Sequence, residues 1–310
     1  MFRRKSVRHF DLCAGCRAAA VLAAVLAIAP GCRLTGEGPV SRSLVTCRQL
    51  SQRGVSALER HDSKTAESLL GQAVTACPVD AEARRHYAEA LWQNGERAKA
   101  VAQLDEALKL AGDDETLRVR VGEMRLTLGD IEAARRHASL AIELNPRSGA
   151  AWALRGRVMQ QSGQPREALA DYHRALGLLP DDRSVLLNLA ETYRTLGEPH
   201  RALANLQRLS DTYASGEEPP QVLYLEGLAL VALGRSADAV VSFTAARDRG
   251  PPTPDVLFQL ASAQSQAGRD NDARQSVLQA LALNPTHPAS RELLARLDMA
   301  AASGALAERR

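Results

Sequence analysis

Aromatic side chains are scarce in this chain. Four Phe, two Trp and five Tyr make up 4% of 310 residues, although 45% of the chain is hydrophobic. The apolar content is carried by Ala, Leu and Val, which favours closely packed helices over sheets. An excess of one charge is also missing from most of the chain. The formal net charge is +3, but residues 1–31 hold Arg3, Arg4, Lys5, Arg8 and Arg17 against Asp11, leaving 34 basic and 35 acidic residues elsewhere. No basic stripe suited to nucleic acid survives outside the N-terminal segment.

Catalytic and metal-binding patterns are lacking too. His9, His61, His86, His137, His173, His200 and His287 form no HExxH or other ligand spacing. There is no G-x-S-x-G, and no Gly-rich phosphate loop follows an expected strand. No stretch of about 100 residues is left over for a separate catalytic domain. The expectation is a chain that is not an enzyme and needs no cofactor or metal.

Long hydrophobic runs are represented only by Ala18–Ala29, twelve apolar residues ending before Pro30-Gly31-Cys32. A helix needs about 20 apolar residues to cross a bilayer, so this run is short. Basic residues before it and small residues after it describe a secretory signal peptide over 1–31. The layout resembles the lipobox of bacterial lipoproteins, which implies acylation of Cys32 as the new N-terminus. Ala29 and Pro30 depart from that family's preferred residues. Three readings follow: a lipid-anchored protein, a cleaved and soluble one, or one with an uncut anchor. All three place the body outside the cytoplasm. Residues 32–46, which include GEGPVSRS, are expected to be a flexible tether.

Five cysteines stand at 13, 16, 32, 47 and 77. The pair Cys13 and Cys16 lies in the leader. With the leader removed and Cys32 lipidated, Cys47 and Cys77 remain, and an even remainder in an oxidising compartment invites a disulfide.

Against this background a repeat stands out. Ala66, Ala100, Ala134, Ala168 and Ala202 are spaced by 34 residues, and the series resumes at Ala239 and Ala273. Seven residues after each stand Ala73, Ala107, Ala141, Ala175, Leu209, Ala246 and Ala280. Gly95, Gly129, Gly163, Gly197, Gly234 and Gly268 precede the first series, and Pro78, Pro146, Pro180, Pro251 and Pro285 close most units. Each unit reads as a helical hairpin. Trp152, Arg155, Gly156 and Met159 share one helix face, Gly163 marks the turn, and Pro165 suits the first turn of the second helix. The small residues allow two helices to cross closely.

Trp152, Gly156, Ala168, Tyr172, Ala175 and Pro180 are similar to the pattern of the tetratricopeptide repeat family, as are Leu223, Gly227, Ala239, Phe243, Ala246 and Pro251. The resemblance covers about residues 47–300. It implies an all-α fold: a right-handed α-solenoid of seven helical hairpins plus a C-terminal capping helix. Repeats begin at Cys47, Ala81, Glu115, Gly149, Arg183, Pro220 and Pro254. The cap starts at Pro288 and turns Arg291, Glu292, Arg296 and Asp298 to solvent. Residues 301–310 form a tail. The step from Arg183 to Pro220 is 37 residues, so three are inserted within 211–220. This reads as a looser joint between repeats five and six, or as a surface insertion without a role.

The family's geometry places the first helix of each hairpin on the concave side. A partner-binding groove is then implied along Arg85, Glu89, Trp92, Glu123, Arg157, Gln160, Asn188, Glu191 and Arg194, becoming apolar at Tyr224, Leu228, Val231 and Phe258. The alternative is that the aromatics are simply packed between helices. The lysines of the family's carboxylate clamp are replaced by Arg85, Val119 and Ala153, which disfavours chaperone-tail recognition. The hairpin also brings Cys47 and Cys77 to one end, so a disulfide between them is expected. The function implied is a non-catalytic scaffold for a protein or peptide. It would be extracytoplasmic and held at a membrane through its N-terminal lipid. A docking subunit for a partner enzyme and a pilotin-type escort lipoprotein are the alternatives.

Overall fold

Fifteen helices and no strand make up residues 39–307, the part of the chain described by the structure, a computed structural model with side chains over 43–302. The leader, Cys13, Cys16, Cys32, the first part of the tether and residues 308–310 lie outside the described residues. First helices are α1 (Pro39–Glu59), α3 (Ala81–Gln93), α5 (Glu115–Thr127), α7 (Gly149–Gln161), α9 (Arg183–Thr195), α11 (Pro220–Ala232) and α13 (Pro254–Gln266). They alternate with second helices α2 (Ser63–Ala76), α4 (Arg97–Ala111), α6 (Ile131–Leu144), α8 (Pro165–Leu178), α10 (Pro199–Ser210), α12 (Ser236–Arg249) and α14 (Asp270–Leu283). The last helix, α15 (Pro288–Ala307), closes the stack.

Local chemistry starts and stops these helices. Asp80, Asp114, Ser148 and Asp182 stand one repeat apart, and each side chain accepts from backbone N–H groups in the first turn of α3, α5, α7 or α9. A cap of this kind is worth about 1 kcal/mol. The second helices α8 and α10 instead begin on Pro165 and Pro199, where a missing N–H is no loss. Between the helices of repeat four, Gly163 takes φ +73°, a left-handed turn that a side chain would strain.

Packing explains the periodic small residues. Ala66, Ala100, Ala134, Ala168, Ala239 and Ala273 are fully buried. A Cβ on Gly156 would lie 2.7 Å from the Tyr172 ring, and one on Gly227 would lie 2.5 Å from Phe243. The two aromatics fill the space left by these glycines, and both are fully buried. Each second helix packs between its own first helix and the next one. The first helices α5, α7, α9, α11 and α13 also touch in succession, so they line the inner side of the stack.

Three sequence expectations are corrected. The tether is not flexible throughout, because α1 begins at Pro39 and residues 39–46 are helical. This added length is held by the Ser43 hydroxyl, which donates to Ala76 O at 2.8 Å. The joint between repeats five and six is not loose. One apolar cluster runs through it, with Leu206 and Leu209 on α10 packed with Val222 and Leu225 on α11. The inserted residues are tied down as well. Arg183 lies 3.9 Å from the Tyr213 ring centre and donates to Thr212 Oγ1 at 2.9 Å, while Arg249 pairs with Glu218. Leu209 fills volume that Ala would leave empty. Finally, α15 runs past residue 300 into the expected tail. Its Leu293 and Leu297 pack on Ala261, Ala273 and Val277, with Arg291, Glu292, Arg296 and Asp298 facing outward.

Candidate functional site

The first helices carry the residues expected to line a groove, and they fall into two groups. In repeats two to four the charges are bonded to one another. Arg85 on α3 pairs with Glu82, one turn earlier on the same helix. Glu89 on α3 accepts two bonds from Arg120 on α5, at 2.5 and 2.7 Å. Arg120 also donates to Glu123 at 3.0 Å, and Glu123 meets Arg157 on α7 at 3.6 Å. The result is a ladder of alternating sign across three repeats.

Burial works against the Arg120 charge, but the bonds to Glu89 and then Glu123 outweigh it and raise the guanidinium pKa. Beside the ladder, burial and then Arg85 push His86 below its ordinary value, which favours a neutral ring. Arg120, the hub, was not among the expected groove residues. It stands two repeats before Asn188 at the same place in the frame, the signal that could have found it.

Two further expected residues serve the fold. Gln160 accepts from the Tyr172 hydroxyl at 2.7 Å. Trp92 is half-buried against the apolar cluster of α3–α5, with Arg97 5.6 Å from its ring centre. On α7, Arg155 donates to the buried Asp171 at 2.6 and 2.8 Å and lies 4.5 Å from the Trp152 ring centre, with Arg174 4.7 Å from the same ring.

In repeats five to seven the pattern changes. Among the described residues, the side chains of Asn188, Glu191 and Arg194 on α9 have no hydrogen-bond or ion-pair partner. Tyr224, Leu228 and Val231 on α11 are half-buried and rest on the main apolar cluster, with the Tyr224 ring 5.8 Å from Phe243. Phe258 on α13 is also half-buried, 5.8 Å from His287. Each of these side chains is thus packed on one side and open on the other. Burial, then Asp255, raises the Tyr224 pKa, while Arg194 acts against the shift, so the phenol stays a donor at neutral pH.

The expected disulfide is not formed in the structure: Cys47 and Cys77 are both free thiols, buried in one cluster with Ala73 and Ala83. Cys47 sits within α1 rather than at its start, because that helix begins eight residues earlier. Among the described residues no group of three or more His, Cys, Asp or Glu is placed to hold a metal, and no helix is long and apolar enough to cross a membrane.

Known proteins with this architecture match in sequence and in shape. Family models described as tetratricopeptide repeat match residues 52–115 and 123–286. Human tetratricopeptide repeat protein 33 is 24% identical over 156 residues, and the match spans 50% of this chain and 57% of that protein's length. The solved structure of PilW, a type IV pilus biogenesis factor, superposes with a TM-score of 0.61 at 19% identity, covering 69% of this chain and 98% of that one. A tetratricopeptide repeat protein from Parabacteroides merdae gives 0.57 at 16% identity, covering 82% and 99%. At these identities the structures share the fold. With more than half of its length matched by one family model, the chain belongs to the tetratricopeptide repeat family.

Proposed function

We propose that this protein is a non-catalytic scaffold that holds an extended segment of another protein in its concave groove, across α9, α11 and α13. The observation that carries the reading is the contrast between bonded and unbonded polar groups along one face. A ligand charge approaching Glu89 or Glu123 competes with bonds already made to Arg120. These partly exposed ion pairs contribute about 1 kcal/mol or less, so the competition sets a small penalty against binding there. At Arg194 and Asn188 nothing has to be broken. The guanidinium suits a carboxylate, the amide suits a peptide bond, and Tyr224, Leu228 and Phe258 offer apolar surface beside them.

The leader supports an extracytoplasmic location, with a lipid on Cys32 holding the scaffold to a membrane. A second reading, an escort for an outer-membrane assembly, is favoured by the combination of a lipobox-like leader with a repeat array. Intact mass of the mature N-terminus tests the anchor: a missing diacylglyceryl group on Cys32 removes it and leaves the scaffold.

The groove is tested by selecting peptides from a random display library on the immobilised protein and measuring their affinity. Tyr224→Ala combined with Phe258→Ala should weaken binding by about tenfold or more, equivalent to roughly 1.4 kcal/mol. Unchanged affinity in that variant would overturn the placement.

A further inference from the structure

The N-terminal hairpin contains an arrangement that the groove does not use. Cys47 and Cys77 are 1% and 7% exposed, where α1 meets the end of α2 and the start of α3. Cys77 is the C-cap of α2, with its N–H on Ala73 O. Its thiol donates to Ser43 O on α1 at 3.8 Å, and the Ser43 hydroxyl returns a bond to Ala76 O at 2.8 Å. One turn further along α1, the Cys47 thiol donates to Asp80 Oδ2 at 3.7 Å. Two successive turns of α1 are therefore bonded to the same corner, and both cysteines lie in its buried cluster as free thiols.

We propose that Cys47 and Cys77 are joined by a disulfide in the working protein, a clasp between α1 and the α2–α3 corner. The need for one follows from position. In a stack of repeats each unit is stabilised by its neighbours, and the terminal helix has them on one side only. Whatever part of the chain precedes Pro39 connects to the solenoid through α1, so any pull on it acts on this helix first. A bond at Cys47 holds α1 where the load enters.

The oxidant required is a small-molecule disulfide. Burial, then Cys77 and Asp80, push the Cys47 thiol to about 12, so Cys47 is a slow nucleophile and enters second. The Cys77 thiolate attacks one sulfur of the disulfide and forms a mixed disulfide, expelling one thiolate. Cys47 passes its proton to the thiolate first expelled and then attacks the Cys77 sulfur as a thiolate; the second small thiolate leaves and takes a proton from water. Two protein thiols are oxidised, and one small disulfide is reduced to two thiols. The bond rests on the geometry of the hairpin and is independent of the groove.

The full chain, purified without reductant, is denatured, alkylated with iodoacetamide and digested for mass spectrometry. The expected result is a linked peptide pair containing Cys47 and Cys77, with both sites alkylated only after reduction. Alkylation of both without reduction, or a link from either to another cysteine, overturns the proposal. The clasp's effect is read on wild-type protein, reduced or oxidised with glutathione disulfide, by trypsin cleavage at Arg48 and Arg53. Cleavage should be about tenfold slower in the oxidised form, because opening of α1 exposes those sites. Cys47→Ser and Cys77→Ser should behave as the reduced protein in either buffer. Equal cleavage of linked and reduced wild type would leave a bond without a clasp and overturn its role.

Discussion

In repeats two to four, the concave face bonds its own charges, Glu89 to Arg120 to Glu123 to Arg157; on α9 of repeat five, the side chains of Asn188, Glu191 and Arg194 have no hydrogen-bond or ion-pair partner among the described residues, and Arg194 acts on Tyr224 of repeat six. Both stretches show polar residues on first helices, and both read alike as groove in the sequence. What separates them is whether a polar group has already found its partner inside the fold. The first stretch ties α3, α5 and α7 together. The second leaves its donors and acceptors for something else. A row of charges on a solenoid therefore does not by itself mark a binding surface.

The comparison can be broken first at what both stretches share, the aromatic wedge within a hairpin. Phe243→Ala removes a fully buried ring beneath Tyr224 and should lower stability by about 3–5 kcal/mol in denaturant unfolding. It should also weaken peptide binding, because Tyr224 loses its support. Next in size is Arg155→Ala, which leaves the Asp171 carboxylate buried without its cation. A loss of about 3 kcal/mol is expected, and Asp171→Asn on the same background should restore much of it.

A smaller effect follows from Arg120→Ala. The ladder's members are each about one-quarter to one-third exposed, so the loss should be about 1 kcal/mol or less and shrink in high salt. Peptide affinity should not fall. If it collapses while unfolding is unchanged, the ladder itself is the binding surface.

The smallest effect tests how the C-terminal stretch treats a half-buried acid. Burial raises the Glu226 pKa above its ordinary 4.5, so the folded chain holds this proton more tightly than the unfolded chain. The Glu226 contribution to stability is then present in acid and lost as pH rises through the raised value. Glu226→Gln should be slightly more stable than wild type at neutral pH. The difference should vanish below 4.5, as checked by urea unfolding at several pH values.

Much of the fold was legible because its cause is periodic. Small residues recur where helices cross, so the alanine frame marks first helices that begin at Ala81, Glu115, Gly149, Arg183, Pro220, Pro254 and Pro288. The start of α1 was not legible, since residues 39–46 have no counterpart in the frame and are held by single bonds such as Ser43 to Ala76. The insert before Pro220 looked loose because three added residues break the period. Its packing through Leu209 and Tyr213 depends on contacts across repeats. The groove was legible only as a row of positions. That Arg120 consumes Glu89 depends on side-chain reach between helices, across 31 residues of sequence, which periodicity along one helix does not report.

Hydrogen exchange of the full chain, with and without a peptide selected on it, tests the central claim most directly. The account predicts slower exchange in α9, α11 and α13 on binding, with α3 and α5 unchanged. Protection centred on α3, α5 and the ladder around Arg120, or confined to the second helices, would contradict it.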